Sequence, residues 1–74
     1  MSPLLESSAR LQRGSYVRVY RHGRPTARTG QIVRQHSDGT FVVRMTDEYD
    51  VGHRPHCEEF APNLLRHIGK HEVQ

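Results

Sequence analysis

The chain has 74 residues and a mass of 8.6 kDa, which is the size of one small domain with a thin hydrophobic core. Eleven basic residues against eight acids leave a formal charge of +3, which favours an anionic partner. The single cysteine excludes an intramolecular disulfide, and with it the class of small secreted disulfide scaffolds.

The charge is divided unevenly along the chain. Residues 1–34 hold seven arginines and one acid, whereas residues 35–74 hold four bases and seven acids. The longest apolar run, residues 41–43, is far shorter than the roughly 20 residues that cross a bilayer. The first ten residues have neither the basic start nor the apolar stretch of a signal peptide. These features predict a cytoplasmic protein without membrane contact.

Residues 1–12 are predicted to be an N-terminal extension. It is either a short helix, because Ser2 can cap it and Pro3 suits its first turn, or a frayed tail. Val17 and Val19 then alternate with polar and aromatic neighbours, which predicts a half-buried strand. The next ten residues, 21–30, contain two glycines, one proline and three arginines without any period. They are predicted to form an exposed basic loop.

A hairpin is predicted over residues 31–45. Ile32 and Val33 indicate its first strand, and Phe41, Val43 and Met45 alternate along its second. Between the strands, residues 37–39 read Ser-Asp-Gly, and an Asp-Gly pair tolerates the positive φ of a tight turn.

Residues 46–60 are predicted to be a long acidic loop that ends in a short strand at 58–60. A 3₁₀ turn is expected at 61–64, because proline fixes φ and the run is too short for an α-helix. A last strand at 65–68 and a polar tail at 69–74 complete the chain. Four or five short antiparallel strands over residues 13–68 therefore predict an all-β, SH3-like barrel, a fold that leaves a small domain few exposed sheet edges.

Several short motifs follow one another along the chain. They are Arg13-Gly14-Ser15, Val17-Arg18-Val19, Gly30 with Ile32-Val33, Asp38-Gly39, Val42–Met45, Phe60-Ala61 and Leu64-Leu65. This series of motifs resembles the small SH3-like barrels of the KOW and Tudor kind. Its amino-acid sequence is also similar to that of a family of small peripheral proteins of photosystem I. The resemblance implies a binding barrel. The loop after the first strand in that photosystem family is aromatic, whereas here it reads RHGRPTARTG.

Gly30-Gln31-Ile32-Val33 also resembles a strand of the plasmid-type dihydrofolate reductases. Their Val-Gln-Ile-Tyr active-site strand has no counterpart in this sequence, so the resemblance does not extend to that activity. The sequence also lacks a phosphate-binding glycine loop, a paired-carboxylate motif and a nucleophile elbow. It therefore predicts a protein that is not an enzyme and that needs no cofactor.

Tyrosines and arginines that strand alternation would place on one face form the first candidate site. If Val17 and Val19 face the core, Tyr16, Arg18 and Tyr20 share the other face, and Arg44 is a plausible neighbour. Aromatic rings stack on bases while guanidinium groups pair with phosphates, which is how several small barrels bind single strands. Packing between ordinary solvent-facing strand residues is the alternative interpretation.

Three further arginines, Arg21, Arg24 and Arg28, crowd the predicted loop together with His22. Arginine binds oxyanions bidentately, so this cluster is a second candidate for anion binding. Pairing with acids 47, 48 and 50 of the same chain would instead neutralise the loop.

The spacing of His53, His56 and Cys57 offers three ligands of the kind that zinc accepts, but no second ligand pair lies at the distance found in zinc fingers. A polar loop is the alternative interpretation.

The functional prediction is thus a non-enzymatic module that binds an anion, with nucleic acid preferred. The alternatives are docking to an acidic protein and self-association, in which a thin core gains by burying Val42 or the N-terminal leucines.

Overall fold

The structure is a computed structural model that describes residues 11–72. Five strands form one antiparallel sheet, and the order along the sheet is β4-β3-β2-β1-β5. The strands are β1 (Tyr16–Arg21), β2 (Arg24–Gln35), β3 (Phe41–Asp50), β4 (Arg54–Phe60) and β5 (Leu65–His67). The prediction of an all-β fold is confirmed. The predicted N-terminal helix falls mostly outside the described residues.

Alternation along the strands places the core on one face of the sheet. The buried side chains of this core are Val17, Val19, Ile32, Phe41, Val43, Met45, Phe60 and Leu65. They come from all five strands, so each strand is held by the same apolar layer as well as by backbone hydrogen bonds. Leu11 and Leu64 pack against its margin.

The predicted loop at residues 21–30 is wrong, because most of it belongs to β2. The chain reverses at His22-Gly23, where both residues have positive φ (53° and 76°), and Arg21 pairs directly with Arg24. This is the geometry of a two-residue type I′ hairpin turn, whose twist matches that of the strands. Period two fails over the start of β2 because this end of the hairpin is largely exposed, so burial imposes no pattern there.

The predicted loop is also wrong over residues 46–57, whereas the strand predicted at 58–60 is confirmed as the end of β4. β3 continues to Asp50, the chain turns at residues 51–53, and β4 begins at Arg54. The His53 amide donates to the Asp50 carbonyl at 3.1 Å and closes this turn. The pairing of β3 with β4 shifts register between Arg44 and Tyr49, which interrupts the alternation that a strand prediction needs.

The hairpin at residues 36–40 and the 3₁₀ turn before the last strand are confirmed. The His36 amide donates to the Thr40 carbonyl at 2.8 Å, and the 3₁₀ turn spans Pro62–Leu64. That turn leads into β5, which pairs with β1. In the described range β4 and β5 are not paired with each other, so the sheet keeps two edges instead of closing into a barrel. The predicted loose tail contains a further 3₁₀ turn at Lys70–Glu72.

Candidate functional site

A groove on the surface of the sheet contains two of the predicted site residues, Tyr16 and Arg44. Its volume is about 320 Å³. It is lined by Tyr16, Gln31, Arg44, Met45, Thr46, Tyr49 and Pro55, and we call it the tyrosine groove. Four strands contribute to it, so it forms only when the sheet is assembled.

Strand register explains how the tyrosine groove is built. Tyr16 pairs with Gln31, Gln31 with Arg44, and Arg44 with Cys57, so these four residues form a row across β1, β2, β3 and β4. Directly paired residues project from the same face of a sheet. Because the neighbours of Tyr16 and Arg44 in sequence are core residues, the row lies on the face opposite the core.

Two hydrogen bonds hold the polar part of the tyrosine groove. Arg44 Nη2 donates to Gln31 Oε1 at 3.3 Å, and Gln31 Nε2 donates to the Gly14 carbonyl at 3.2 Å. Within residues 11–72 no carboxylate lies within 4.0 Å of the Arg44 guanidinium. Arg44 is therefore oriented by a neutral amide while most of its five N–H donors stay available to an anion.

Tyr49 and Gln31 belong to this groove but were not predicted. Tyr49 is 61% exposed. Strict alternation from Met45 would turn Tyr49 toward the core, and the register shift between Arg44 and Tyr49 brings it to the groove instead. Tyr49 was missed because the full length of β3 was not predicted, since a β-bulge has no simple signature in sequence. Gln31 was overlooked because a polar side chain is ordinary in an alternating strand.

Tyr20 lies in a different groove from Tyr16. This second groove has a volume of about 580 Å³, and Val19, Phe60 and Leu64 contribute apolar side chains to its lining. The Arg66 guanidinium lies over the Tyr20 ring at 5.0 Å from its centroid. The pairing of β1 with β2 shifts register between Arg18 and Tyr20, so the predicted single row of Tyr16, Arg18 and Tyr20 is interrupted.

Arg18, Arg21 and Arg24 lie along the β1–β2 hairpin. Arg18 Nη1 donates to the Thr26 carbonyl at 2.9 Å, while Arg21 and Arg24 are exposed beside the turn. Over the described range, none of these three guanidinium groups has a carboxylate within 4.0 Å. Arg21 lines the second groove, and Arg18 and Arg24 line neither groove. The predicted arginine set is thus spread over several surfaces.

Arg28 is held by acids of its own chain, as the alternative interpretation predicted. Its Nε and Nη2 atoms lie 2.7 and 2.8 Å from the two Glu48 oxygens, and Nη2 lies 2.7 Å from Glu58 Oε1. His56 contacts Asp50 Oδ1 at 2.8 Å and Glu58 Oε1 at 3.1 Å. We call these five residues the Arg28 cluster. Arg28 is not available as a clamp for an outside anion.

The Arg28 cluster shifts the titration of its members. Hydrogen bonds from Arg28 lower the pKa of Glu48, and those from Arg28 and then His56 lower the pKa of Glu58. Hydrogen bonds to Glu58 and Asp50 raise the pKa of His56. Both ring nitrogens of His56 face carboxylates, so both can donate once the ring is protonated, and the arrangement favours the imidazolium over the neutral ring.

The candidate metal ligands His53, His56 and Cys57, for which a polar loop was the alternative interpretation, are not brought together. The one group of three metal-ligating side chains found within residues 11–72 is Glu48, His56 and Glu58, whose ligand atoms lie within 4.8 Å of one another. His53 occupies the turn before β4, and Cys57 is paired with Arg44 across the sheet, so neither joins His56. Because Arg28 already holds both glutamates, a cation at this position would have to displace it.

The Arg28 cluster makes stability depend on pH through His56. Because the folded pKa of His56 is raised above its usual 6.5, its contribution is full below about pH 6.5 and is lost as the pH rises through the folded value. We expect His56→Gln to lower the unfolding midpoint at pH 6, with a smaller difference from wild type at pH 8.5. Thermal melts followed by circular dichroism measure this difference.

His67→Gln is the matched control for this prediction, because His67 is exposed on β5 and no carboxylate lies within 4.0 Å of it over residues 11–72. Its melting curve should follow the pH dependence of the wild type. A gap between His56→Gln and wild type that stays constant, or widens, as the pH rises would contradict the role of His56.

Comparisons of this chain with models of protein families, with curated proteins and with solved structures find no match. Among residues 11–72, no helix is long and apolar enough to cross a membrane. The resemblance to SH3-like barrels of the KOW and Tudor kind therefore stays a prediction.

Proposed function

We propose that this protein is a non-enzymatic, cytoplasmic module that binds single-stranded nucleic acid in the tyrosine groove. One observation carries the proposal: Tyr16 and Tyr49 line the same exposed groove as Arg44, whose guanidinium has no carboxylate partner in the described part of the chain. An aromatic ring stacks on any base, and a guanidinium group pairs with a phosphate.

The distribution of acids supports an anionic ligand. Glu48 and Glu58 bind Arg28, Asp50 binds His56, and Glu59 lies 3.2 Å from His36. Four of the seven acids in residues 35–74 are thereby engaged away from Arg44. These ion pairs do not neutralise the positive charge of the tyrosine groove. Neutralisation by acids of the same chain was the main alternative interpretation of the arginines.

The form of the tyrosine groove favours a single strand over a duplex. Its volume of about 320 Å³ is at the lower end of the range for ligand sites, which suits one or two nucleotides. Bases within a duplex hide their faces by stacking on one another, whereas a single strand can present them to Tyr16 and Tyr49. Gln31, at the centre of the row, can form hydrogen bonds with base edges.

We expect Tyr49→Ala to weaken binding of a fluorescent single-stranded oligonucleotide about tenfold, since one stacked base contributes about 1–3 kcal/mol. Tyr49 is 61% exposed, so its loss should leave the fold intact. Arg44→Gln should weaken binding and should reduce the slope of log affinity against log salt by about 0.7, the value for one phosphate contact on a single strand. Fluorescence anisotropy over a salt series measures both effects.

Lys70→Gln is the matched control, since it removes one charge from an exposed residue that lines neither groove. It should change affinity much less than Arg44→Gln. Absence of binding at low salt would overturn the proposal. Salt-sensitive binding that Tyr49→Ala leaves unchanged would show simple charge attraction and would overturn it equally. Capture of an acidic protein that resists competition by oligonucleotide would favour protein docking instead.

A further inference from the structure

One long side of β4 has no strand paired to it in the described part of the chain. β4 is the terminal strand of the sheet and pairs with β3 on its inner side only. Its outer side runs over seven residues, Arg54–Phe60, whereas the opposite edge of the sheet, β5, has three. The unpaired backbone groups of such an edge are a template for another strand.

We propose that two copies of this chain pair edge to edge through β4, antiparallel and about a twofold axis at Cys57. Cys57 is the middle residue of β4, so this register pairs all seven residues of one copy with all seven of the other. The interface joins two five-stranded sheets into one of ten strands. This inference does not rest on the proposed nucleic-acid function, because it uses the edge of the sheet and not the groove.

The number of paired residues and the absence of facing like charges together select this register. It pairs all seven residues, places His56 opposite Glu58 of the other copy, twice, and brings no two like charges face to face. A shift by two residues in either direction pairs only five residues of β4. One such shift places Arg54 opposite Glu58 but also His56 opposite His56, and the other places Glu58 opposite Glu58. A shift by one residue would pair residues from opposite faces of the sheet.

Pro55 and the charges of β4 limit the strength of this pairing. Proline lacks an N–H, so the pairing forms fewer backbone hydrogen bonds than the seven residues would otherwise allow. One strand on each side also buries less surface than a permanent dimer interface does. The pairing is therefore reversible and depends on protein concentration, with a dissociation constant of about the micromolar range.

The register also brings the two Cys57 residues directly opposite each other, and Cys57 is exposed. Directly opposite residues of antiparallel strands have Cα atoms about 4.5–5.5 Å apart. That separation lies within the range that a disulfide spans. Because Cys57 is paired with Arg44, the two tyrosine grooves would lie on the same face of the ten-stranded sheet.

Sedimentation equilibrium under reducing conditions tests the association. We expect the average mass to rise from 8.6 kDa toward twice that value with increasing concentration. Cys57→Lys should weaken association several-fold, since two ammonium groups would face each other at the axis. Val51→Lys adds the same charge at a turn residue that is 97% exposed, and it should associate like the wild type. A monomer at every concentration up to the millimolar range would overturn the proposal.

Crosslinking tests the register. Glutathione disulfide takes two electrons and two protons from a pair of Cys57 thiols, forming the intermolecular disulfide and two molecules of glutathione. The double variant Cys57→Ser, Glu59→Cys moves the thiol two residues along β4, where the two positions would lie about 13 Å apart. We expect rapid crosslinking of the wild type and little of the variant. Equal crosslinking of both proteins would overturn the register.

Discussion

Gly30→Ala is expected to be among the most damaging single substitutions in this protein. A Cβ atom at Gly30 would lie 2.5 Å from the Arg44 carbonyl oxygen and 2.6 Å from Val43 Cγ1, so β2 and β3 would have to separate. Gly30 also pairs with Val17 on β1 and with Met45 on β3, which leaves the strand no room to move sideways. Overpacking costs about 1–3 kcal/mol and occasionally more, and the contact with backbone atoms places Gly30→Ala at the upper end of that range.

Whether alanine raises or lowers the free energy of unfolding shows how much space surrounds a glycine. Where space allows, replacing glycine by alanine stabilises a protein by about 0.4–1 kcal/mol, because it restricts the unfolded chain. At Gly23 a Cβ meets nothing within 4 Å, and only the φ of 76° opposes alanine. Gly23→Ala should therefore cost about 1–2 kcal/mol, the strain of a left-handed conformation. Urea unfolding followed by circular dichroism compares the two variants. A Gly30→Ala variant no less stable than Gly23→Ala would contradict the close approach of β2 and β3.

Leu65→Ala should have a comparable effect by the opposite mechanism, the creation of a cavity. Leu65 is 2% exposed and pairs with Val19, so it anchors the three residues of β5 to β1. Leucine-to-alanine substitutions in cores cost about 2–5 kcal/mol. A domain of 74 residues has a total stability of about 4–11 kcal/mol, so this variant should lose a large share of its free energy of unfolding and unfold at a much lower denaturant concentration than the wild type.

Leu64→Ala is the control for this prediction. Leu64 precedes Leu65 in the chain but is only half-buried at the margin of the core, and its loss should cost clearly less. Calorimetry or chemical denaturation of both variants gives the comparison. Equal losses of stability would indicate that β5 is held by its backbone hydrogen bonds and not by the Leu65 side chain.

Sequence reasoning succeeded where burial imposes a pattern. Val17, Val19, Phe41, Val43 and Met45 face the core as their alternation predicts. The 3₁₀ turn and the hairpin at residues 36–40 were also predictable, because proline and the Asp-Gly pair restrict the backbone locally. The all-β fold class followed from these elements.

The strands that sequence reasoning missed are the exposed ones. The start of β2 and the end of β3 extend beyond the core, so solvent on their surfaces removes the period-two signal. Candidate site residues were affected in the same way. Tyr16 and Arg44 were predicted together and line one groove, but Tyr49 reaches it only through a register shift. Glu48 was among the acids predicted as partners of Arg28, whereas the contact with Glu58 follows from the pairing of β3 with β4, which was not predicted.

The order of the strands has a consequence for the time at which the domain can fold. Three of its four strand pairings join neighbours in sequence, and each can form once a single hairpin is available. The fourth joins β1 to β5 and must wait until residues 65–67 have been synthesised. During translation, β1 to β4 can therefore assemble as a meander with Val19 uncovered, and the arrival of Leu65 completes the core last.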